Sequence, residues 1–134
     1  MIGLEPCSDI DHCPVDTALS VLGGKWKAMI LFHLRTGPKR FNALRRLMPS
    51  VTQRMMTAHL RELERDGMVL RVVDASASPP AVEYSLTELG SSLTPILTAM
   101  AEWGRLYELR WPAARTRAFK VNPAAHATGS AASA

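Results

Sequence analysis

Apolar residues along this chain recur first at helical and then at strand spacing. Leu22, Trp26, Met29, Ile30 and His33 share a helical period and predict a helix ended by Thr36-Gly37-Pro38. Before it, Asp16 and Thr17 are capping residues for a short helix that stops at Gly23-Gly24. After it, a third helix is expected from near Lys39-Arg40, with Phe41, Leu44, Leu47 and Met48 inward and a stop at Pro49. The turn Pro49-Ser50-Val51 leads to Thr52, a good N-cap for a fourth helix running to Asp66-Gly67. The period then changes. Met68–Val73 and Val82–Leu86 are β-prone runs, and Asp74–Ala81 between them reads as a hairpin loop. Thr87 is the expected cap of one long last helix, about 34 Å from Glu88 to Arg110 and kinked at Pro95. Three helices, a short turn, a helix and a hairpin make a winged helix-turn-helix order. The predicted class is therefore mainly α with a small β-hairpin and a long C-terminal dimerisation helix.

With 134 residues, the chain has room for one ordinary domain and its core. Its 47% hydrophobic and 21% charged residues are near globular averages, which excludes wholesale disorder. Residues 1–11 are expected to be a flexible segment, 12–112 the DNA-binding and dimerisation domain, and 113–134 a disordered, alanine-rich tail. Met1–Cys7 lacks the basic and apolar regions of a signal peptide, and Ala28–Leu34 is too short to span a bilayer. Two cysteines do not form a disulfide framework. A cytoplasmic chain with no membrane partner is expected.

Charge changes the picture more than composition does. The net +4 conceals a segregation: residues 25–71 hold eleven Lys/Arg against three acids, while residues 1–24 and 72–112 are both net acidic. A basic block between acidic flanks fits a polyanion-binding surface, and an ordinary solvated face would also account for it. The block coincides with the helix-turn-helix. In its fourth helix Met56, Leu60 and Leu63 recur at i, i+4 and i+7 and should point inward. Arg54, Thr57, Ala58, Arg61 and Arg65 then face outward, with Gln53 in the first turn. Arg can bond guanine bidentately, Gln can bond adenine, and Thr or Ala can touch a thymine methyl. The N-terminus at Thr52 favours a phosphate. Lys39 and Arg40, with Arg45 and Arg46, are candidates for backbone contacts on the preceding helix.

These residues carry a resemblance. Cys13-Pro14-Val15, Gly23-Gly24-Lys25-Trp26-Lys27, Gly37-Pro38-Lys39-Arg40-Phe41 and Thr52-Gln53-Arg54-Met55 resemble the HxlR-type family, in order and at its spacing. So do Leu60-Arg61-Glu62-Leu63-Glu64, Asp66-Gly67 and Val82-Glu83-Tyr84-Ser85-Leu86-Thr87. The match spans about residues 13–104. It implies a MarR-like winged-helix transcription regulator of bacteria, a homodimer joined by its terminal helices on a pseudo-palindromic DNA operator. The sequence departs from the family at Ala58-His59, where a polar residue, often Gln, is usual. It departs again at Ala81, where the family has Arg, which leaves the wing loop without Lys or Arg.

The stripe on the last helix could be intramolecular core, but its two tryptophans and tyrosine exceed what a small head can cover. A two-fold dimer through Leu93, Leu97, Met100, Trp103 and Tyr107, with Leu19 of the first helix, is expected. Cys13 precedes Pro14 at a helix start, where the dipole lowers a thiol pKa while nearby carboxylates raise it. It is either an inert thiol or, as the resemblance implies, a sensor of oxidants or electrophiles; Cys7, in the flexible segment, is the candidate resolving partner. Cys7, His12 and Cys13 are too few and wrongly spaced for a zinc site, and His33 and His59 read as packing or surface residues. Gly23-Gly24-Lys25 lacks the rest of a P-loop, and no catalytic motif appears. No metal, cofactor or enzymatic activity is expected. The reading is a sequence-specific DNA-binding regulator, a repressor released by a small-molecule or thiol-redox signal. A winged-helix protein-interaction module and a ligand-binding protein without specific DNA binding remain the alternatives.

Overall fold

The computed structural model describes residues 12–115. The expected flexible segment 1–11, Cys7 within it, and the tail beyond 115 lie outside the described residues.

Helix α1 spans Pro14–Leu22. Its N-cap is the extended Cys13, with Pro14 at the first position, where a fixed φ and a missing N–H fit the helix start. Asp16 and Thr17 are therefore inside the helix rather than capping it. The Gly23 N–H closes the helix by donating to the Leu19 carbonyl at 2.8 Å. Gly24, at φ 73°, then turns the chain into α2, Trp26–Leu34. On α2 the most deeply buried apolar side chains are Ile30, Leu31 and Leu34, whereas Met29 and His33 are half-buried.

Lys39–Arg40 does not begin a helix. It forms a two-residue strand, β1, followed by α3 at Phe41–Leu47. Leu44 and Met48 enter the core, but Leu47 is exposed, contrary to expectation. Helix α4 covers Gln53–Arg65, and Gly67 at φ 78° leads into the wing strands β2, Val69–Asp74, and β3, Ala81–Leu86. The sheet has three antiparallel strands in the order β1-β3-β2, one more than the hairpin. Lys39 faces Tyr84 and Arg40 faces Glu83, while Arg71 faces Tyr84 from the other side. The wing is thereby laced to the segment that precedes α3.

The single long last helix is two helices, α5 at Glu88–Ser91 and α6 at Thr94–Arg110. Thr87 caps α5 by accepting from the Gly90 N–H at 3.0 Å and donates its own hydroxyl to the Gly67 carbonyl at 2.6 Å. Gly90 sits so close to the chain at Met68 that a Cβ there would lie 2.0 Å from the Met68 carbonyl oxygen. Pro95 does not kink a helix interior; it occupies the first turn of α6, where its absent N–H would have had no helical acceptor.

Two compact units meet within α6, one ending at Leu97 and one starting at Thr98. The first holds the core, in which Leu44, Met56, Leu60 and Leu63 are fully buried. Leu97, 5% exposed, belongs to that core, and Leu93 is partly buried against it. In the second unit Trp103, Tyr107 and Trp111 form a ladder with successive ring centroids 5.1 Å apart. All three are exposed, Trp103 at 66%, as are Met100, Leu106 and Leu109. Ala113–Arg115, assigned above to the tail, form a helical turn.

Candidate nucleic-acid interface

Helix α4 is fixed at its start by Thr52, whose hydroxyl oxygen accepts from the Met55 N–H at 3.1 Å. Met56, Leu60 and Leu63 anchor it from within, each with no exposed surface. This inward stripe forces Gln53, Arg54, Thr57, Ala58 and Arg61 onto the opposite side, where the five line one shallow depression. Thr57 is half-buried and the others are exposed. The Thr57 hydroxyl donates to the Gln53 carbonyl at 2.9 Å, so its proton is committed to the helix. What it offers outward is a methyl group and lone pairs. Two guanidinium groups, an amide and two methyl-bearing side chains on one convex helix face can read base edges in a major groove. Arg65 belongs less clearly to this face, because its Nε lies 3.5 Å from the Asp66 carboxylate.

A second basic group lies beside it in sequence but on other elements. Lys39 and Arg40, from β1, share an open cleft with Arg46 of α3 and Glu83 of β3. Arg46 is exposed, whereas Arg45 is half-buried. Arg35 is engaged locally: its guanidinium stacks 3.7 Å from the centre of the Phe32 ring and donates to the Phe32 carbonyl at 2.7 Å. Near this group, burial, then Arg35 and Lys39, push the His33 imidazole below its ordinary value of 6.5.

The wing has the opposite sign at its tip. Asp74 accepts hydrogen bonds from the Ser76 hydroxyl and from the Ser76 N–H, and these hold its carboxyl below the usual range. With no Lys or Arg in residues 75–80, the tip offers a groove a negative charge.

The structure thus gathers the expected α4 residues into one face and places Lys39 and Arg40 in a separate cleft with Arg46. It does not group Cys13 with them. Cys13 is half-buried at the N-cap of α1. Sequence reasoning named Lys27 only within a family motif and missed its burial. Lys27 is buried within the basic block, its ammonium against the Glu62 carboxylate of α4. The signal was present, since Lys27, Ile30, Leu31 and Leu34 are spaced i, i+3, i+4 and i+7, which puts the lysine on the buried stripe of α2.

The arrangement of turn, exposed basic helix and wing matches a model of the HxlR-like helix-turn-helix over residues 21–110. The chain belongs to that family. It is a helix-turn-helix transcriptional regulator, not an enzyme. The HTH-type transcriptional regulator YdeP of Bacillus subtilis is 51% identical over 110 residues, covering 81% of this chain and 85% of YdeP. Among solved structures, the redox regulator HypR in its oxidized form is 56% identical with a TM-score of 0.66, covering 69% of this chain and 95% of HypR. The reduced form of the transcriptional regulator YodB from B. subtilis is 36% identical with a TM-score of 0.60, covering 69% of this chain and 90% of YodB. Among the described residues no helix is long and apolar enough to cross a membrane, and no group of three or more His, Cys, Asp or Glu is placed to hold a metal.

Proposed function

We propose that this HxlR-like regulator binds a pseudo-palindromic double-stranded operator as a homodimer and represses by occupying it. The observation that carries the reading is the outward face of α4, where Gln53, Arg54, Thr57, Ala58 and Arg61 converge on one surface. In this reading Arg54 and Arg61 bond guanine edges, Gln53 bonds adenine, and Thr57 and Ala58 meet thymine methyls. Lys39 and Arg40 bond backbone phosphates, as does the helix start at Thr52. They set the register of the helix and carry no sequence information themselves.

The homodimer draws its support from apolar surface. On α1, Val15 and Leu19 are exposed; on α6, Met100, Trp103 and Tyr107 are exposed. A closed two-fold pairing through these residues sets the two α4 helices about 34 Å apart, one turn of duplex. Release by a thiol signal is favoured by Cys13 at the N-cap of α1 and by the likeness to HypR, a redox regulator by name. An electrophile adding to the same sulfur would act through the same helix, and a non-covalent small-molecule effector would need the dimer to supply its site.

A footprint on DNA upstream of the protein's own coding region tests the reading. Protection of two half-sites one turn apart is expected, lost on adding peroxide or quinone and retained under oxidant in Cys13→Ser. A footprint unaffected by oxidant in the unaltered protein removes the thiol release, and binding with no sequence preference removes the operator.

A further inference from the structure

Lys27 is the buried charged residue among those described, with its side chain 8% exposed, while that of Glu62 is 42% exposed. The hydrogen bond from the ammonium, more than any other influence, holds the Glu62 carboxyl below its ordinary range. Two further features locate this pair. Glu62 lies on the flank of α4, between the buried stripe of Met56, Leu60 and Leu63 and the outward face that ends at Arg61. The end of α1 abuts the same ammonium, since a Cβ at Gly23 would stand 3.6 Å from Lys27 Nζ.

The apolar stripe holds α4 to the core, but apolar contacts are non-directional and tolerate small rotations of a helix about its axis. The ion pair adds a directional restraint, because burial of the Lys27 side chain limits how far its ammonium can follow the Glu62 carboxylate, and the hydrogen bond weakens as the two part. The outer surface of a helix lies about 5–6 Å from its axis, so a turn of about 10° displaces a side chain by about 1 Å. That displacement is enough to spoil a bidentate contact to a base edge while leaving attraction to phosphates nearly unchanged.

We propose that Lys27 is a positioning residue for base recognition: through Glu62 it fixes the rotational setting of α4, and so which side chains of that helix reach base edges. The proposal rests on the operator-binding reading above. It assigns one basic residue of the DNA-binding head a role that involves no contact with DNA. Lys27 then affects discrimination between sequences, whereas Lys39 affects affinity for all of them.

The test is fluorescence anisotropy of the full chain on its footprinted operator and on a scrambled duplex, across a salt series, with Lys27→Met and Glu62→Gln. Thermal unfolding of each variant establishes that it is folded. In Lys27→Met the carboxylate left behind reaches water, and the ratio of operator to scrambled affinity is expected to fall about tenfold, the loss of one well-made base contact. The slope of affinity against salt stays as in the unaltered protein, because no phosphate contact is removed. In Glu62→Gln the operator affinity is expected to fall as well, although a negative charge beside the phosphates has been removed. If Glu62 is only a solvated charge, that substitution tightens binding to both duplexes, and the proposal is overturned. A salt slope reduced by about one in Lys27→Met also overturns it, by making the lysine a phosphate contact. If Lys27→Met does not fold, Glu62→Gln decides alone. Should the unaltered protein show no preference for the operator, it is the operator reading that fails.

Discussion

Helices α4 and α6 both carry an apolar stripe, and they differ in what becomes of it. On α4 the stripe is satisfied within the chain: Met56, Leu60 and Leu63 are completely buried, and what remains outside is polar or small. On α6 only Leu97 is buried, while Ile96, Met100, Trp103, Leu106 and Leu109, and Trp111 just past its end, are at least half exposed. Large apolar side chains exposed together along one helix mark a surface for apolar association. The outward face of α4 is the surface the proposed operator contact uses, and the exposed apolar side chains of α6 are those the proposed dimer would cover.

The difference can be broken most directly by truncating one residue on each helix. Leu60→Ala is expected to lower the stability of the head by about 2–5 kcal/mol, read from urea unfolding at any protein concentration. Trp103→Ala should instead raise the dimer dissociation constant by about tenfold or more in sedimentation equilibrium. Any stability it costs should depend on protein concentration. A concentration-independent loss as large as that of Leu60→Ala would place Trp103 in the core of its own chain and remove the contrast.

The outer face of α4 is sharpened by a second pair of substitutions. Arg54→Ala is expected to weaken operator binding by about 1–3 kcal/mol and to relax the preference at one base pair. Lys39→Ala weakens binding to all sequences alike and lowers the salt slope by about one. If the two variants behave identically in a salt series on matched and scrambled duplexes, base contact and phosphate contact have been wrongly divided between α4 and β1.

The smallest effect is one of pH. Because the His33 imidazole titrates below 6.5 in the folded chain, the unfolded chain takes up its proton first as the medium is acidified. Stability contributed by neutral His33 is present above 6.5 and declines below it. In His33→Gln that part of the decline disappears, and urea midpoints between pH 7 and pH 5 should change less than in the unaltered protein.

What the sequence revealed of all this followed the range of the forces involved. The Thr52 cap, the Gly67 turn and the stripe of Met56, Leu60 and Leu63 are set by neighbours within a few residues, so α4 and its outward face were legible. Strand β1 was not. Lys39 and Arg40 become a strand only because Tyr84 and Glu83, far along the chain, present them with an edge. The break between α5 and α6 was half-written in the sequence, since Pro95 is better suited to a first turn than to a helix interior. Burial of a lysine runs against its composition, and only the spacing of Lys27 with Ile30, Leu31 and Leu34 announces it.

Gly90 gives the molecule a point of genetic fragility away from the outward face of α4. The Met68 carbonyl leaves no room for a Cβ there, so every substitution must move backbone at the root of the wing. A selection for lost regulation would gather changes at this buried glycine alongside those on the surface of α4. A map drawn from such mutants alone would place an apparent hot spot where nothing is bound.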